Sequence, residues 1–257
     1  MKLSKKLNIP ISSYDIIGHI ALVYIPDEYM DRANEIAKSI IEQHPRVKTV
    51  YRKNPVYGEY RLRDLELIYG EDISETITKE NGITLKLDVK KVFYSPRMAY
   101  DRAKTLEYIK QGETVLVGFA GVGPYPILIK KKFPMNKVIG IEINETAYKY
   151  FLENIKINKV DVEVILGDFC KNMMKADRII MPMPMSGIEY LKCINQEAYI
   201  HIYLFVDSKN PLEDGKNQIS KYIRDFKILD YRRLRSYSKS LDEYIFIISN
   251  HSANLLL

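Results

Sequence analysis

Hydrophobic and polar positions change their period along this chain, and the changes divide it in two. Residues 14–25 alternate around Gly18 and read as strands, and Pro26 and Asp27 then open a helix with Asp27 as the expected cap. Tyr29, Ala33, Ile36, Ala37, Ile40 and Ile41 recur at helical spacing as far as Gln43, and Pro45 closes that segment. Residues 47–51 and 57–67 read as two strands divided by Asn54 and Pro55, and an acidic turn follows at 70–75. A hairpin over 75–78 and 83–87 is predicted from Asn81 and Gly82, because an Asn-Gly pair accepts the positive φ of a two-residue turn. These elements predict a small α+β domain over residues 1–93.

At Ser95, Pro96 and Arg97 the pattern changes. Residues 98–109 are helical in period, and apolar strand-length runs then follow at 115–119, 137–142, 162–166, 177–182, 200–206, 226–230 and 244–248. Helical stretches at 125–132, 145–157, 187–194 and 210–223 lie between most of them. Strand–helix alternation predicts a doubly wound α/β domain over residues 94–257.

The first run of that domain leads into Phe119-Ala-Gly121-Val-Gly123-Pro124. A strand, a glycine turn and a helix start place this stretch at the carboxyl edge of an open sheet, where ligands bind. An ordinary strand-to-helix turn has the same local pattern, so the neighbouring residues decide. The second strand ends in Glu142, about twenty residues on, where an acid accepts hydrogen bonds from ribose hydroxyls. The third glycine of the dinucleotide fingerprint is missing, and Pro124 removes an N–H that a pyrophosphate would use. A phosphate-free nucleoside cofactor fits this turn better, and S-adenosylmethionine has that chemistry. Asp168 at the end of the third strand is placed to accept from the adenine amine with Phe169 beside the ring, although a turn aspartate reads equally well there. Pro182 and Pro184 make the exit of the fourth strand stiff and extended.

Composition narrows the classes further. Lys and Arg outnumber Asp and Glu by 39 to 33, an excess that suits a polyanionic partner without requiring one. There is no run of 18 apolar residues, and the polar start lacks a secretory signal, so a cytoplasmic protein without a membrane span is expected. Cys170 and Cys193 have neither metal-ligand spacing nor a disulfide framework and are expected to be small reduced core residues. The four histidines form no zinc signature, so no metal is expected.

Together these residues resemble the archaeal and eukaryotic tRNA (guanine-37-N1) methyltransferase family, with its relatives that modify wyosine-type bases at the same tRNA position. The matching stretches are Tyr14-Asp-Ile-Ile-Gly, Ile25-Pro-Asp-Glu, Gly82 through Val89, Phe93-Tyr-Ser-Pro-Arg, Phe119-Ala-Gly-Val-Gly-Pro and Glu153-Asn-Ile-Lys-Ile-Asn. The resemblance implies a Rossmann-like class I methyltransferase domain preceded by a small α+β domain, with S-adenosylmethionine as cofactor and the tRNA anticodon loop as partner. It implies cofactor contacts from Phe119, Gly121, Gly123, Glu142, Ile143, Asp168, Phe169 and Pro182. It puts the family's general base on Asp101, a guanine-facing arginine on Arg61 with Arg63 as competitor, and a cofactor- or base-holding role on Arg97. With only about ten residues before the α+β unit, the extra tRNA-elbow domain of many family members is expected to be absent.

Three positions depart from the family pattern: Val117 replaces an acid, Pro182 replaces an asparagine, and Asp101 replaces a glutamate. Asp101 also reads as a surface neighbour of Arg102. Tyr94, Tyr100 and Tyr125 are candidates for stacking on a target base, or for core packing, and the basic run 231–239 for following phosphates. The implied activity is methyl transfer to base 37, at guanine N1 or also at a carbon of a wyosine precursor. Aminocarboxypropyl transfer from the same cofactor, and an RNA-binding module without catalysis, are the alternatives.

Overall fold

The computed structural model describes Ile9, residues 14–57 and residues 62–250. Two sheets carry the fold, with a hairpin between them. In the N-terminal sheet the order is β1 (Tyr14–Ile17), β2 (Ile20–Val23), β3 (Thr49–Tyr57) and β4 (Leu62–Gly70). Helix α1 (Ala33–Gln43) crosses between the parallel strands β2 and β3 and buries Ile36, Ala37 and Ile40 against Ala21, Val23 and Val50. The helix does not start as expected. A 3-10 turn over Asp27–Arg32 precedes it without a side-chain cap, because the Asp27 carboxylate pairs with Arg52. Asn54 and Pro55 do not break the strand either. β3 runs through them with a register shift between Lys53 and Val56, since an irregularity at that point absorbs the N–H that proline lacks.

The hairpin β5 (Glu75–Glu80) and β6 (Ile83–Asp88) turns at Asn81 (φ 44°) and Gly82 (φ 80°). It packs on helix α4 (Glu145–Asn158) of the larger unit. Asn154 and Asn158 act as substitutes for a neighbouring strand. Asn154 accepts from the Lys86 N–H at 2.7 Å and donates to its carbonyl at 3.0 Å, and Asn158 does the same at Thr84, at 2.9 and 2.6 Å. This gives the Glu153-Asn-Ile-Lys-Ile-Asn stretch a structural purpose: its two amides hold the hairpin and satisfy buried backbone groups.

The large sheet has the order β12 (Lys227–Ser236), β13 (Leu241–Ser249), β11 (Tyr199–Asp207), β10 (Arg178–Met181), β7 (Thr114–Val117), β8 (Lys137–Glu142) and β9 (Glu163–Leu166). Strands β7 to β11 are parallel, and β13 and β12 return antiparallel. Helix α2 (Ala99–Thr105), helix α3 (Pro124–Lys132), α4 and helix α5 (Pro211–Ser220) complete this unit. The chain winds from β7 to one side and from β10 to the other, so the crevice at their carboxyl ends is the expected binding place. Among the described residues, no helix is long and apolar enough to cross a membrane, and no His/Cys/Asp/Glu group is arranged to hold a metal.

One buried group makes the fold sensitive to pH. His201 on β11 is fully buried with Nε2 2.9 Å from Arg178, which also clamps Glu113 through two hydrogen bonds of 2.8 and 2.9 Å. Burial, followed by the charge of Arg178, holds its imidazolium well below the ordinary histidine range. The unfolded chain takes a proton near pH ~6.5 that the folded chain refuses, so stability falls with decreasing pH below that point, by up to ~1.4 kcal/mol per pH unit. Urea titrations at pH 7.5 and 5.5 check this, and the His201→Gln variant is expected to lose that part of the slope.

Candidate active site

Beyond Val117 the chain turns through Phe119 (φ 53°), Gly121 (φ 58°) and Gly123 (φ 88°) before Pro124 starts α3. The two glycines have different reasons. A Cβ on Gly121 would meet only the Phe93 carbonyl, at 3.8 Å, so this residue leaves space in a cleft. A Cβ on Gly123 would lie 2.1 Å from the Phe151 ring. Gly123→Ala is therefore expected to cost ~3 kcal/mol from left-handed strain plus overpacking. A Tm lower by ~6–12 °C in a thermal melt would be the sign of that loss.

Glu142 ends β8 and fastens the turn. Its Oε2 accepts the Gly121 N–H at 2.6 Å and its Oε1 the Asn144 N–H at 2.8 Å. Burial raises its carboxyl above the usual range, and the backbone donors pull it back. Around it lies a cleft of ≈ 100 Å³ lined by Phe119, Gly121, Glu142, Ile143, Asp168, Phe169 and Pro182, together with Phe93, Asn144, Met183 and Tyr190. The structure thus gathers on one wall every expected cofactor residue except Gly123, which sits behind it. Phe119 meets Tyr190 edge to face at 4.8 Å and Phe169 at 5.5 Å. Asp168 accepts from the Lys171 N–H at 3.0 Å.

Cys170 and Cys193 are not free core thiols. They form a disulfide with Cα atoms 5.3 Å apart, tying the segment after Asp168 and Phe169 to the 3-10 turn that carries Tyr190. A separation of 23 residues offers no sequence signal for that pairing; only the packing of the two segments brings the sulfurs together.

A second cleft, ≈ 330 Å³, shares Phe93 and Pro182 with the first. Arg97 lines it, with its Nε 2.5 Å from Asp15 of the N-terminal sheet, and Lys53 pairs with the same carboxylate. Tyr24, Phe205, Arg235, Tyr237 and Glu243 complete much of its wall. Arg235 and Tyr237 fall in the basic run 231–239 that the sequence singled out for phosphates, whereas Tyr24, Phe205 and Glu243 did not follow from it, because strands far apart along the chain bring them together.

Asp101 lines neither cleft. It is buried, with Oδ2 accepting from the Tyr125 and Tyr203 hydroxyls at 2.6 Å each and Oδ1 from Arg232. Tyr125 and Tyr203 are also 2.8 Å apart, and burial together with Asp101 raises both phenols well above the ordinary range. Asp101 is thus not the surface neighbour of Arg102 that the sequence allowed. The stacking candidates are elsewhere too: Tyr94 and Tyr125 are buried, with Tyr94 bonded to Glu80, and Tyr100 is exposed but lines neither cleft. In the basic run 231–239, Arg232, Arg233 and Arg235 pair with Asp101, Asp242 and Glu243, so these cations are engaged within the chain. Arg61 lies outside the described residues, and of Arg63 only the backbone, in β4, is described.

The first cleft suits S-adenosylmethionine. Its wall has carboxylates at two strand ends, four aromatic rings and no lysine or arginine, and Pro124 offers no N–H to a phosphate. Residues 76–229 match the TRM5/TYW2 methyltransferase domain, and residues 2–73 the TYW2 N-terminal domain. The chain is 45% identical over 237 residues to the tRNA (guanine(37)-N(1))-methyltransferase Trm5b of Pyrococcus abyssi, covering 88% of this chain and 71% of the relative. It is 33% identical to the tRNA (guanine(37)-N(1))/4-demethylwyosine(37)-methyltransferase Taw22 of Nanoarchaeum equitans, covering 86% and 93%. Among solved structures it superposes with TM-score 0.85 and 28% identity on aTrm5 in complex with tRNALeu, covering 97% of this chain and 77% of that one. With a Rossmann-like sheet, a cleft lined without lysine or arginine and a domain match over 76–229, the chain belongs to the TRM5/TYW2 methyltransferase family.

Proposed function

We propose that this protein methylates the base at position 37 of tRNA, with N1 of guanosine as acceptor, and that it acts in the cytoplasm on the anticodon loop. The observation that carries the reading is the pair of adjoining clefts, one suited to a nucleoside and the other cationic and aromatic, meeting at Phe93 and Pro182. S-adenosylmethionine supplies an electrophilic methyl group on its sulfonium when bound.

The residues of the chain hold and orient the two reactants. Glu142 accepts from the ribose hydroxyls while its backbone bonds keep it fixed, and Asp168 accepts from the adenine amine. Phe119, Phe169 and Ile143 enclose the adenine, and Gly121 leaves room for the nucleoside. Gly123 serves the pocket indirectly by letting Phe151 pack beneath the turn. Pro182 stands between the clefts, where a rigid backbone limits how the reactants approach. Arg97 and Lys53, steadied by Asp15, place positive charge where guanine O6 becomes negative as N1 loses its proton. Asp101 positions α2 by joining it to α3, β11 and β12. Arg61 remains a candidate for the guanine-facing arginine on the family resemblance alone.

Reaching base 37 requires removing it from the loop stack, at a cost of a few kcal/mol. The exposed Tyr24 and Tyr237 at the second cleft offer rings on which a displaced base can stack. Incubation with methyl-labelled cofactor and tRNA transcripts carrying G37 or A37 tests the proposal. Label in the G37 transcript alone is expected, and equal label in both would reject guanine as the acceptor.

A further inference from the structure

The second cleft contains a carboxylate that none of the roles above uses. Glu243 on β13 is 2% exposed and lines the cleft. Its register neighbours are Phe205 on β11 and Arg235 on β12, so three adjacent strands present a ring, an acid and a base side by side. Arg235 Nε holds Oε2 of Glu243, while Oε1 has no hydrogen-bond partner among the described residues. Beside it, Tyr237, about half exposed, lies against Phe205 with ring centroids 4.2 Å apart and planes at 34°. An aromatic pair next to an acceptor is the arrangement that holds a nucleobase by its face and reads its edge.

We propose that Glu243, oriented by Arg235, faces N1 of the target guanine and accepts its proton, with Tyr237 supporting the base. This rests on the proposed methyl transfer to guanine. A carboxylate only accepts, so it pairs with the N1–H of guanine and repels the N1 lone pair of adenine. The N1–H bond breaks and its proton bonds to Oε1, and the electron pair left on N1 forms the new bond to the methyl carbon, while the carbon–sulfur bond would break with its pair going to the sulfonium sulfur, which leaves as a neutral thioether. Arg235 pairs with this carboxylate, and Arg97 and Lys53, both paired with Asp15, line the same cleft. They stabilise the oxyanion that develops on O6 as the proton leaves. Asp101, whose oxygens are occupied by three donors away from both clefts, is replaced in this role.

The test uses the full chain with Glu243→Gln, Glu243→Asp and Tyr237→Ala, a G37 transcript, and rates measured from pH 6 to 9. Cofactor affinity by calorimetry is measured for each protein. For Glu243→Gln, kcat is expected to fall ~10²–10⁴-fold. Its cofactor affinity should stay within about twofold of wild type, and its rate should keep rising with pH where the wild-type rate has levelled. Glu243→Asp, which keeps the charge, should retain an intermediate kcat, and Tyr237→Ala should raise KM more than it lowers kcat. Wild-type kcat and pH profile in Glu243→Gln would overturn the assignment. If Glu243→Gln loses cofactor binding, Glu243→Asp decides: a cofactor-competent Asp variant with unchanged kcat also overturns it. Should the wild-type chain transfer no methyl group to G37, the underlying reading fails, and this assignment with it.

Discussion

Asp101→Ala is expected to unfold more easily before it reveals anything about chemistry. The change leaves the Tyr125 and Tyr203 hydroxyls and the Arg232 guanidinium without their common acceptor, in a region where both tyrosines are fully enclosed. Removing one partner of a buried charge network costs ~3–5 kcal/mol, because the remaining groups stay desolvated. In thermal melts that is a fall in Tm of ~6–20 °C, shared with Asp101→Asn to a smaller degree. A base in direct contact with the target would behave in the opposite way, with a normal melt and lost turnover. Comparing Tm with kcat at a temperature where the variant is folded separates the two, and normal stability with turnover reduced 10²-fold or more would restore Asp101 as the base.

Glu142→Ala is the second large effect, and it falls on cofactor affinity. A hydrogen bond to a charged acceptor is worth ~1.5–3 kcal/mol, so losing the proposed ribose contact and the anchor of the Gly121 N–H is expected to weaken binding by on the order of 100-fold or more. Glu142→Gln keeps an acceptor oxygen and should lose less. Isothermal calorimetry with S-adenosylmethionine gives the number, and an Ala variant that binds like wild type would remove Glu142 from the cofactor site.

Periodicity carried most of the fold. The seven strands of the large sheet, the hairpin at Asn81 and Gly82 and helices α1, α3 and α4 were legible because their apolar faces repeat within a few residues. Asp27 failed as a cap because a distant partner, Arg52, took its carboxylate. β3 ran through Pro55 because the ladder tolerates an irregularity that local punctuation does not foresee. The residues of the first cleft were legible for a similar reason: they come from successive strand ends, and a strand end can be found in a sequence. The second cleft was not. Phe205, Arg235 and Glu243 become neighbours only through the antiparallel return of β12 and β13, and the Cys170–Cys193 bond forms only because folding brings the segment after Phe169 against the turn that carries Tyr190. Asp101 shows the same limit in reverse, since its helix was legible but the direction of its carboxylate was not.

The most direct measurement is nucleoside analysis by mass spectrometry after incubating the full chain with S-adenosylmethionine and a tRNA transcript that carries G37. The predicted product is 1-methylguanosine at position 37. An aminocarboxypropyl adduct, a methyl group at another position, or an unmodified transcript in the presence of demonstrable cofactor binding would contradict the account.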